Sequence, residues 1–205
     1  LRIGATVTHE TVSNSEVIRN EFSLIAATAG AIAHPPIRSF GTIGGAVAHG
    51  DPNSDYPGAL VASDAQIEIA AMGNRRTVPA ADFFQDYLTT SLRPDEIVTA
   101  VMVPVPPKGV RGGFLKFARV DGDYATVSVA ALLGHRKRDC THIAVALGAV
   151  GPRPVRDRDA EKALIGKSLG DDVLATNAPA GHPARSRRDD GPRATHAVLI
   201  VRDTG

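Results

Sequence analysis

The stretch IRSFGTIGGAVAHGDPNSDYPGAL, residues 37–60, decides how the rest of the chain is interpreted. It is rich in Gly, Pro and Asp, and it lacks the steady apolar period of the segments on either side. Gly41, Gly44 and Gly45 have no Cβ, so the backbone here can adopt positive φ and a ligand can approach its N–H groups. The spacing fits neither the dinucleotide fingerprint nor the P-loop. The composition therefore leaves two interpretations open, a ligand-binding loop and a structural turn.

Bulk composition limits the classes of partner. A chain of 205 residues with 43% hydrophobic content can bury a core as one large or two small domains. The net charge of +1 favours no nucleic-acid partner, and no apolar run is long enough to cross a bilayer. Cys140 is the only cysteine, which leaves no intrachain disulfide or cysteine-cluster metal site and fits a cytoplasmic protein. We expect Cys140 to be a surface thiol in a hairpin turn.

The first third of the chain predicts helices around the Gly-rich stretch. Alternation over residues 1–8 indicates a short strand, and apolar positions at three- and four-residue intervals over 8–33 indicate a helix in two pieces. Pro35 and Pro36 are expected to stop that helix, because neither can donate to the helix ladder. The central stretch then begins as a loop, and Asp55 is expected to cap a short helix that follows it.

The remaining two thirds predict mainly antiparallel strands. Pro104 to Gly109 form the best linker, so we place a domain boundary there, and the Arg-, Asp- and Pro-rich composition beyond Gly170 indicates disorder. The expected elements are a hairpin (65–71 and 75–78), a helix (80–88), a strand (97–103), a three-stranded meander (113–120, 125–135 and 142–150) and a helix (159–164). This mixture predicts an α+β fold.

No residue pattern indicates catalysis by the chain itself. His34, His49, Asp51 and Asp55 lie near one another in sequence, but no HxxxH or HxH pair accompanies them, so we predict no metal site. No Gly-x-Ser-x-Gly elbow or Cys–His arrangement occurs, and we predict no catalytic residue. If the protein is part of an enzyme, a cofactor supplies the reactive chemistry.

The central stretch resembles a known family. Its RSFGTIGGAVAHGDPNSDYPGAL is similar to the TIGGN or TIGGS loop, followed by AHADPASDLPPAL, of the FAD-binding medium subunits of molybdenum hydroxylases of the carbon monoxide dehydrogenase and xanthine dehydrogenase type. The resemblance extends in order over residues 1–169. It is carried by LRIGATVTH (1–9), ADFFQDYLTTSLRPDEIVTAVMVP (81–104), KFARVDGDYATVSVAALL (116–133) and IAVALGAVGPRPVRDRDAEKAL (143–164).

The resemblance implies a domain organisation. Residues 1–107 would be the second subdomain of a PCMH-type FAD-binding fold. Residues 108–170 would be a small antiparallel-sheet-plus-helix domain like the carbon monoxide dehydrogenase flavoprotein C-terminal domain, and residues 171–205 a disordered or divergent tail. In the family an AGGxS loop, which supplies the other half of the phosphate cradle, precedes the matched part. We therefore expect this chain to be truncated at both ends, and to bind FAD weakly or not at all when isolated.

The resemblance also implies the cofactor-binding residues. The loop backbone would hold the pyrophosphate and ribityl parts, a carboxylate would accept from sugar-alcohol hydroxyls, and three further residues would lie beside the isoalloxazine. In that order they are Thr42, Ile43, Gly44, Gly45 and Ala46, then Asp55, then Val98, Lys116 and Tyr124. The last three have plain alternatives: strand core for Val98, a solvated strand position for Lys116 and a turn anchor for Tyr124. Ala46 replaces the usual Asn or Ser, which removes a hydrogen bond worth about 1 kcal/mol.

The family's activity is implied in the same way. A molybdopterin-binding large subunit oxidises the substrate, a 2Fe–2S small subunit carries the electrons, and the FAD of the medium subunit passes them to a quinone, oxygen or NAD. The resemblance therefore implies an FAD-dependent oxidoreductase subunit within a heterotrimer, with dimerisation of the heterotrimer left open. Two alternatives stay open: a non-catalytic remnant or interaction module that has lost FAD, and, less favoured, a stand-alone flavin oxidase.

Overall fold

A computed structural model describes residues 1–168, which form two four-stranded antiparallel sheets joined by short helices. The tail predicted for 171–205 lies outside the described residues. The helices are α1 (His9–Asn14), α2 (Glu16–Glu21), α3 (Ser23–Ala31), α4 (Pro35–Phe40), α5 (Ile43–His49), α6 (Tyr56–Ala62), α7 (Ala80–Phe83) and α8 (Arg158–Leu164). The strands are β1 (Arg2–Gly4), β2 (Gln66–Ala71), β3 (Asn74–Pro79), β4 (Phe84–Asp86), β5 (Thr89–Thr90), β6 (Ile97–Met102), β7 (Arg111–Phe117), β8 (Val127–Arg136), β9 (Asp139–Gly148) and β10 (Val155–Arg156).

The first sheet has the strand order β1-β6-β2-β3 and is antiparallel throughout. Alternation along β2 buries Ile67 and Ile69, and their neighbour Val101 on β6 is equally enclosed. Helix α5 packs against β6. The helix of the Gly-rich stretch therefore packs on this sheet.

The second sheet is a meander with the order β10-β9-β8-β7. Helix α3 packs on β7, and α6 packs on β8 and β9, so helices from the first third of the chain cover this sheet. Leu24 and Leu60 share one buried cluster with Leu132 and Ala146. The core thus crosses the predicted domain boundary at residues 107 and 108, which itself stays a prediction.

Arg156 joins the end of the second sheet to helix α6. Its guanidinium donates to the Glu161 carboxylate at 2.8 and 3.0 Å, and to the carbonyl oxygens of Val61 and Ala62 at 2.7 and 3.1 Å. Both charged side chains are buried. The last carbonyls of α6, which have no partner inside the helix, are thereby satisfied by a cation.

The prediction of a loop over residues 37–60 is wrong. The Gly-rich part is helix α5, whose N-cap Thr42 accepts a hydrogen bond through Oγ1 from the Gly45 N–H at 3.2 Å, and which ends at Gly50 in the left-handed conformation, φ 65°. Gly44 permits close packing: a Cβ added there would lie 2.3 Å from the Cβ of Ala5. A glycine that lets a helix approach another backbone segment closely has the same local signature as one that serves a turn.

Several helix boundaries also differ from prediction. Pro35 begins α4 instead of only stopping the preceding helix, since proline suits the first helical turn. The segment 8–33 forms three short helices, not two pieces, and the helix predicted over 80–88 ends at Phe83. Cys140 is buried in β9, 1% exposed, and is not a surface thiol.

The strand predictions are largely confirmed. The hairpin of β2 and β3, strand β6, the meander of β7, β8 and β9, and helix α8 all lie where alternation and turn residues indicated. The α+β class is confirmed with them. Within residues 1–168, no helix has both the length and the apolar character that a bilayer crossing requires.

The close contact between Gly44 and Ala5 predicts unequal tolerance of two neighbouring glycines. Gly44→Ala places a methyl group against the Ala5 backbone, so we expect the free energy of unfolding to fall by about 1–3 kcal/mol. Gly45→Ala is the matched control, because Gly45 is exposed and its added Cβ meets only the Thr42 hydroxyl at 3.1 Å. It should change stability by less than about 1 kcal/mol. Urea denaturation of both variants measures the difference, and equal losses would contradict the close contact between Gly44 and Ala5.

Candidate functional site

A buried ion pair lies at the centre of the candidate site. The Lys116 ammonium, on β7, donates to Asp55 Oδ2 at 2.9 Å and to the Ala31 carbonyl oxygen at 2.8 Å. The side chains of Lys116 and Asp55 are 11% and 6% exposed. The structure therefore brings together two of the predicted cofactor-binding residues, from opposite sides of the predicted domain boundary, and Lys116 is not a solvated strand residue.

Asp55 keeps one carboxylate oxygen free. Its Oδ1 is fully enclosed and has no hydrogen-bond partner among residues 1–168, and its side chain does not cap α6 as the sequence predicted. Burial raises the pKa of the Asp55 carboxyl, and the hydrogen bond and charge of Lys116 partly offset that rise. An enclosed acceptor without a donor is costly, so this oxygen is suited to a ligand that brings a hydroxyl or N–H group.

The loop that carries Asp55 is held by the second sheet and its connections. The Ala125 N–H donates to the Asn53 carbonyl at 3.2 Å, and the Ala149 N–H donates to the Pro52 carbonyl at 3.1 Å. These two bonds hold the backbone at Pro52 and Asn53, and Lys116 holds the Asp55 side chain. The position of the free carboxylate oxygen therefore depends on both predicted domains.

The N–H groups at the start of α5 already have protein acceptors. Ile43 and Gly44 donate to the carbonyls of Val7 and Ala5 at 3.0 and 2.9 Å, while Gly45 and Ala46 donate to Thr42 Oγ1 and O at 3.2 and 3.0 Å. A phosphate placed here would have to share or displace these bonds. The Thr42 hydroxyl hydrogen has no recorded acceptor in the described part of the chain and could serve a ligand oxygen.

The two remaining predicted residues lie in different surroundings. Val98 is buried in β6, 8% exposed, which matches its strand-core alternative. Tyr124 is 62% exposed in the connection between β7 and β8. That connection packs against the N-cap of α4, because a Cβ added to Gly122 would lie 2.5 Å from the His34 ring. Roles for Val98 and Tyr124 beside a flavin ring stay predictions.

The backbone that ends α3 is strained at Ala33, and two cationic side chains donate to its carbonyl groups. Ala33 has φ 41°, an uncommon conformation for a residue with a Cβ. Arg38 donates to the carbonyls of Ile32 and Ala33, both at 2.8 Å, and Lys116 donates to that of Ala31. Strain of this kind persists only where surrounding contacts enforce it, and it is commonest at ligand sites.

The sequence interpretation missed His9. Its ring is 5% exposed, contacts Tyr56, and lies directly beneath Gly41 at the entrance to α5. LRIGATVTH ends on this residue, but a single histidine after a strand has no distinctive spacing that would assign it a role. Within residues 1–168, no group of three or more His, Cys, Asp or Glu side chains is arranged to hold a metal ion.

Comparison with known families identifies two matched regions. Residues 1–106 match the family described as the FAD binding domain in molybdopterin dehydrogenase. Residues 113–195 match the CO dehydrogenase flavoprotein C-terminal domain.

Similar proteins are medium subunits of oxidoreductase complexes. The nicotine 6-hydroxylase medium subunit of Paenarthrobacter nicotinovorans is 36% identical over 93% of this chain and 66% of its own length. The carbon monoxide dehydrogenase medium chain of Hydrogenophaga pseudoflava is 32% identical over 94% of this chain and 69% of its own. The chain thus spans about two thirds of these relatives. A crystal structure of the Cu,Mo-CO dehydrogenase in its cyanide-inactivated form superposes with a TM-score of 0.89 at 31% identity, covering 98% of this chain and 72% of that one.

The buried ion pair predicts a pH-dependent stability loss in Lys116→Met. Without the cation, burial raises the Asp55 pKa further, so the folded state binds more protons than the unfolded state over a wider pH range. The free energy of unfolding then falls as pH rises from the unfolded pKa through the folded one. We expect a small loss near pH 4 and a loss of about 3 kcal/mol near pH 7.

Urea denaturation at several pH values measures this loss as the difference from wild type. Lys162→Met is the control, because Lys162 pairs with Asp159 in full exposure to solvent. That variant should lose under about 1 kcal/mol at every pH. A loss in Lys116→Met that is equal at both ends of the pH range would contradict a buried, ionised Asp55.

Proposed function

Because the chain belongs to the family of FAD-binding domains of molybdopterin dehydrogenases, we propose that it is the electron-transfer subunit of a molybdenum hydroxylase complex. The family, the α+β fold and FAD as the family's cofactor, all expected from the sequence motifs, are confirmed by the family matches and the superposed structure. The related proteins are subunits of oxidoreductases. In the proposed role, electrons from iron–sulfur clusters pass through FAD to an external acceptor.

The observation that carries the proposal is the free Oδ1 of Asp55. This enclosed acceptor has no donor in the described part of the chain, and the other oxygen of the same carboxylate is held by Lys116. FAD contains a ribityl chain and a ribose, whose hydroxyls are donors of the required kind. The residues present therefore fit the cofactor at this position.

Each proposed residue has a physical task. Asp55 accepts from a sugar-alcohol hydroxyl, Lys116 keeps that carboxylate ionised and oriented, and Thr42 offers a hydroxyl to a ligand oxygen. Tyr124 is exposed enough to pack on an aromatic ring. Bound FAD would supply the redox chemistry, and we propose no catalytic residue in this chain.

The proposed partners are a molybdopterin-binding large subunit and a 2Fe–2S small subunit. Support comes from the relatives, which are named as medium subunits or medium chains, a designation that implies companions of other sizes. The substrate would be oxidised on the large subunit.

A second candidate is an interaction module that has the fold without the cofactor. The occupied N–H groups of residues 43–46 favour it, since they leave no ready phosphate cradle at α5. In that case the chain would associate with partner subunits without carrying electrons. Flavin binding separates the two candidates.

The Asp55 assignment predicts a specific loss of FAD affinity. Asp55→Asn keeps the shape of the side chain but replaces a charged acceptor by a neutral one, so we expect FAD to bind about tenfold more weakly. Quenching of flavin fluorescence on titration with protein measures the dissociation constant. Asp159→Asn, at a fully exposed carboxylate, should match wild type. Equal affinities for wild type and Asp55→Asn would refute the assignment, while wild type that binds no FAD would favour the interaction module.

The proposed role in electron transfer is tested by assembly. When coexpressed with the large and small subunits encoded beside it, the chain should copurify with both and support substrate-dependent reduction of a dye that accepts electrons from flavin. Asp55→Asn should copurify equally well but lower the flavin content and dye reduction together. Copurification without any flavin-dependent dye reduction would leave only the interaction module.

A further inference from the structure

The His9 ring lies between two parts of the candidate site. Its Nδ1 is 3.3 Å from the Tyr56 hydroxyl, and the ring centroids are 5.4 Å apart. On its other side, a Cβ added to Gly41 would lie 2.7 Å from His9 Nε2, and the His9 N–H donates to the Gly41 carbonyl at 2.9 Å. His9 therefore connects the residue before the Thr42 cap with the residue after Asp55.

Tyr56 determines which ring nitrogen carries the proton. Its hydroxyl is fully buried, and His9 Nδ1 is its one partner among residues 1–168. If Nδ1 carried the proton, it would donate to the phenol oxygen and leave the buried phenol hydrogen without an acceptor, which is costly. The phenol must therefore donate to Nδ1, and Nε2 carries the proton.

Burial, aided by neighbouring charges, keeps both rings neutral. Burial and the Arg38 cation lower the pKa of His9, while burial and the Asp55 anion raise the pKa of Tyr56. Nε2 has no partner in the described part of the chain but is not fully enclosed, because the enclosed unpaired side-chain atoms there are Asp55 Oδ1 and Ser91 Oγ. Its N–H group thus lies on the Gly41 side of the ring.

The backbone of the segment around His9 forms hydrogen bonds with the start of α5. Thr8 and Thr42 form an isolated antiparallel bridge, and Ile43 and Gly44 donate to carbonyls of residues 7 and 5. The backbone bonds set the register of the two segments. The His9 ring is the side chain that sets their separation at Gly41, because it fills the space that any Cβ at position 41 would occupy.

We propose that His9 is a positioning residue for residues 41–45, held as its Nε2–H tautomer by the hydrogen bond from Tyr56. The consequence for FAD rests on the proposed function, whereas the tautomer and the placement of the backbone do not. Tyr56→Phe removes the phenol oxygen alone, so it tests the hydrogen bond with the least change in packing.

Nuclear magnetic resonance tests the tautomer directly in the full chain. Among the seven histidines, the imidazole signals of His9 are identified by their loss in His9→Gln. Two-bond proton–nitrogen spectra of wild type should show a protonated Nε2 and an unprotonated Nδ1. Tyr56→Phe should give a mixture of tautomers and shift the backbone amide signals of residues 41–45. Tyr87→Phe, at a tyrosine that is 61% exposed, should change neither.

Two spectroscopic results would overturn the proposal. One is a wild-type His9 with its proton on Nδ1 or in a mixture. The other is a folded Tyr56→Phe whose amides at 41–45 do not move. A merely structural role for Tyr56 would shift core signals generally without changing the tautomer of His9.

FAD titration separates this proposal from the proposed function. If wild type binds FAD, Tyr56→Phe should bind it roughly two- to tenfold more weakly, as expected for one neutral hydrogen bond. Equal affinity would overturn the role of His9 in cofactor binding. If wild type binds no FAD even when assembled with the large and small subunits, the proposed function fails, and the tautomer and amide shifts still decide whether His9 positions the backbone.

Discussion

The ion pair between Lys116 and Asp55 is the contact on which the site depends. Burying two charges costs free energy that their attraction offsets only when the remaining polar atoms are also satisfied. Lys116 meets that condition through the Ala31 carbonyl, but Asp55 does not, because its Oδ1 has no donor. Asp55 Oδ1 is therefore buried at a cost in free energy, and a bound ligand that donates a hydrogen bond to it would remove that cost.

The same pair explains why the site belongs to no single domain. Asp55 precedes α6, in the region matched by the FAD-binding family, while Lys116 lies on β7, in the region matched by the C-terminal family. Ala125 and Ala149, which also belong to the C-terminal region, donate hydrogen bonds to the loop that precedes α6. A change in the second sheet would therefore alter the position of the Asp55 carboxylate, although Asp55 belongs to the other matched region.

Local sequence patterns predicted the secondary-structure elements that depend on residues close together in sequence. The hairpin around Gly73 and the meander followed from alternation and turn residues. The site residues came from the family resemblance, and their roles stay predictions. Helix α5 could not be predicted, because Gly44 is required by Ala5, a residue distant in sequence. The cap expected of Asp55 failed for a similar reason, since Lys116 lies 61 positions away and is the stronger partner. His9 was missed because its role depends on Gly41 and Tyr56 together, and no spacing within one segment encodes that contact.

Residues that follow the Pro-rich linker in sequence bind both ends of helix α6. At its start Lys116 bonds to Asp55, and at its end Arg156 bonds to the carbonyls of Val61 and Ala62. Cutting the chain at the linker would leave the first fragment with an unpaired Asp55 carboxylate and with α6 carbonyls that lack their Arg156 donor. In the second fragment Lys116 would lose its acceptors, while Arg156 would keep Glu161 alone. The two regions matched by the sequence families therefore share core and hydrogen-bond contacts that neither region makes alone. Any exchange of the second domain between relatives would have to bring matching cations with it.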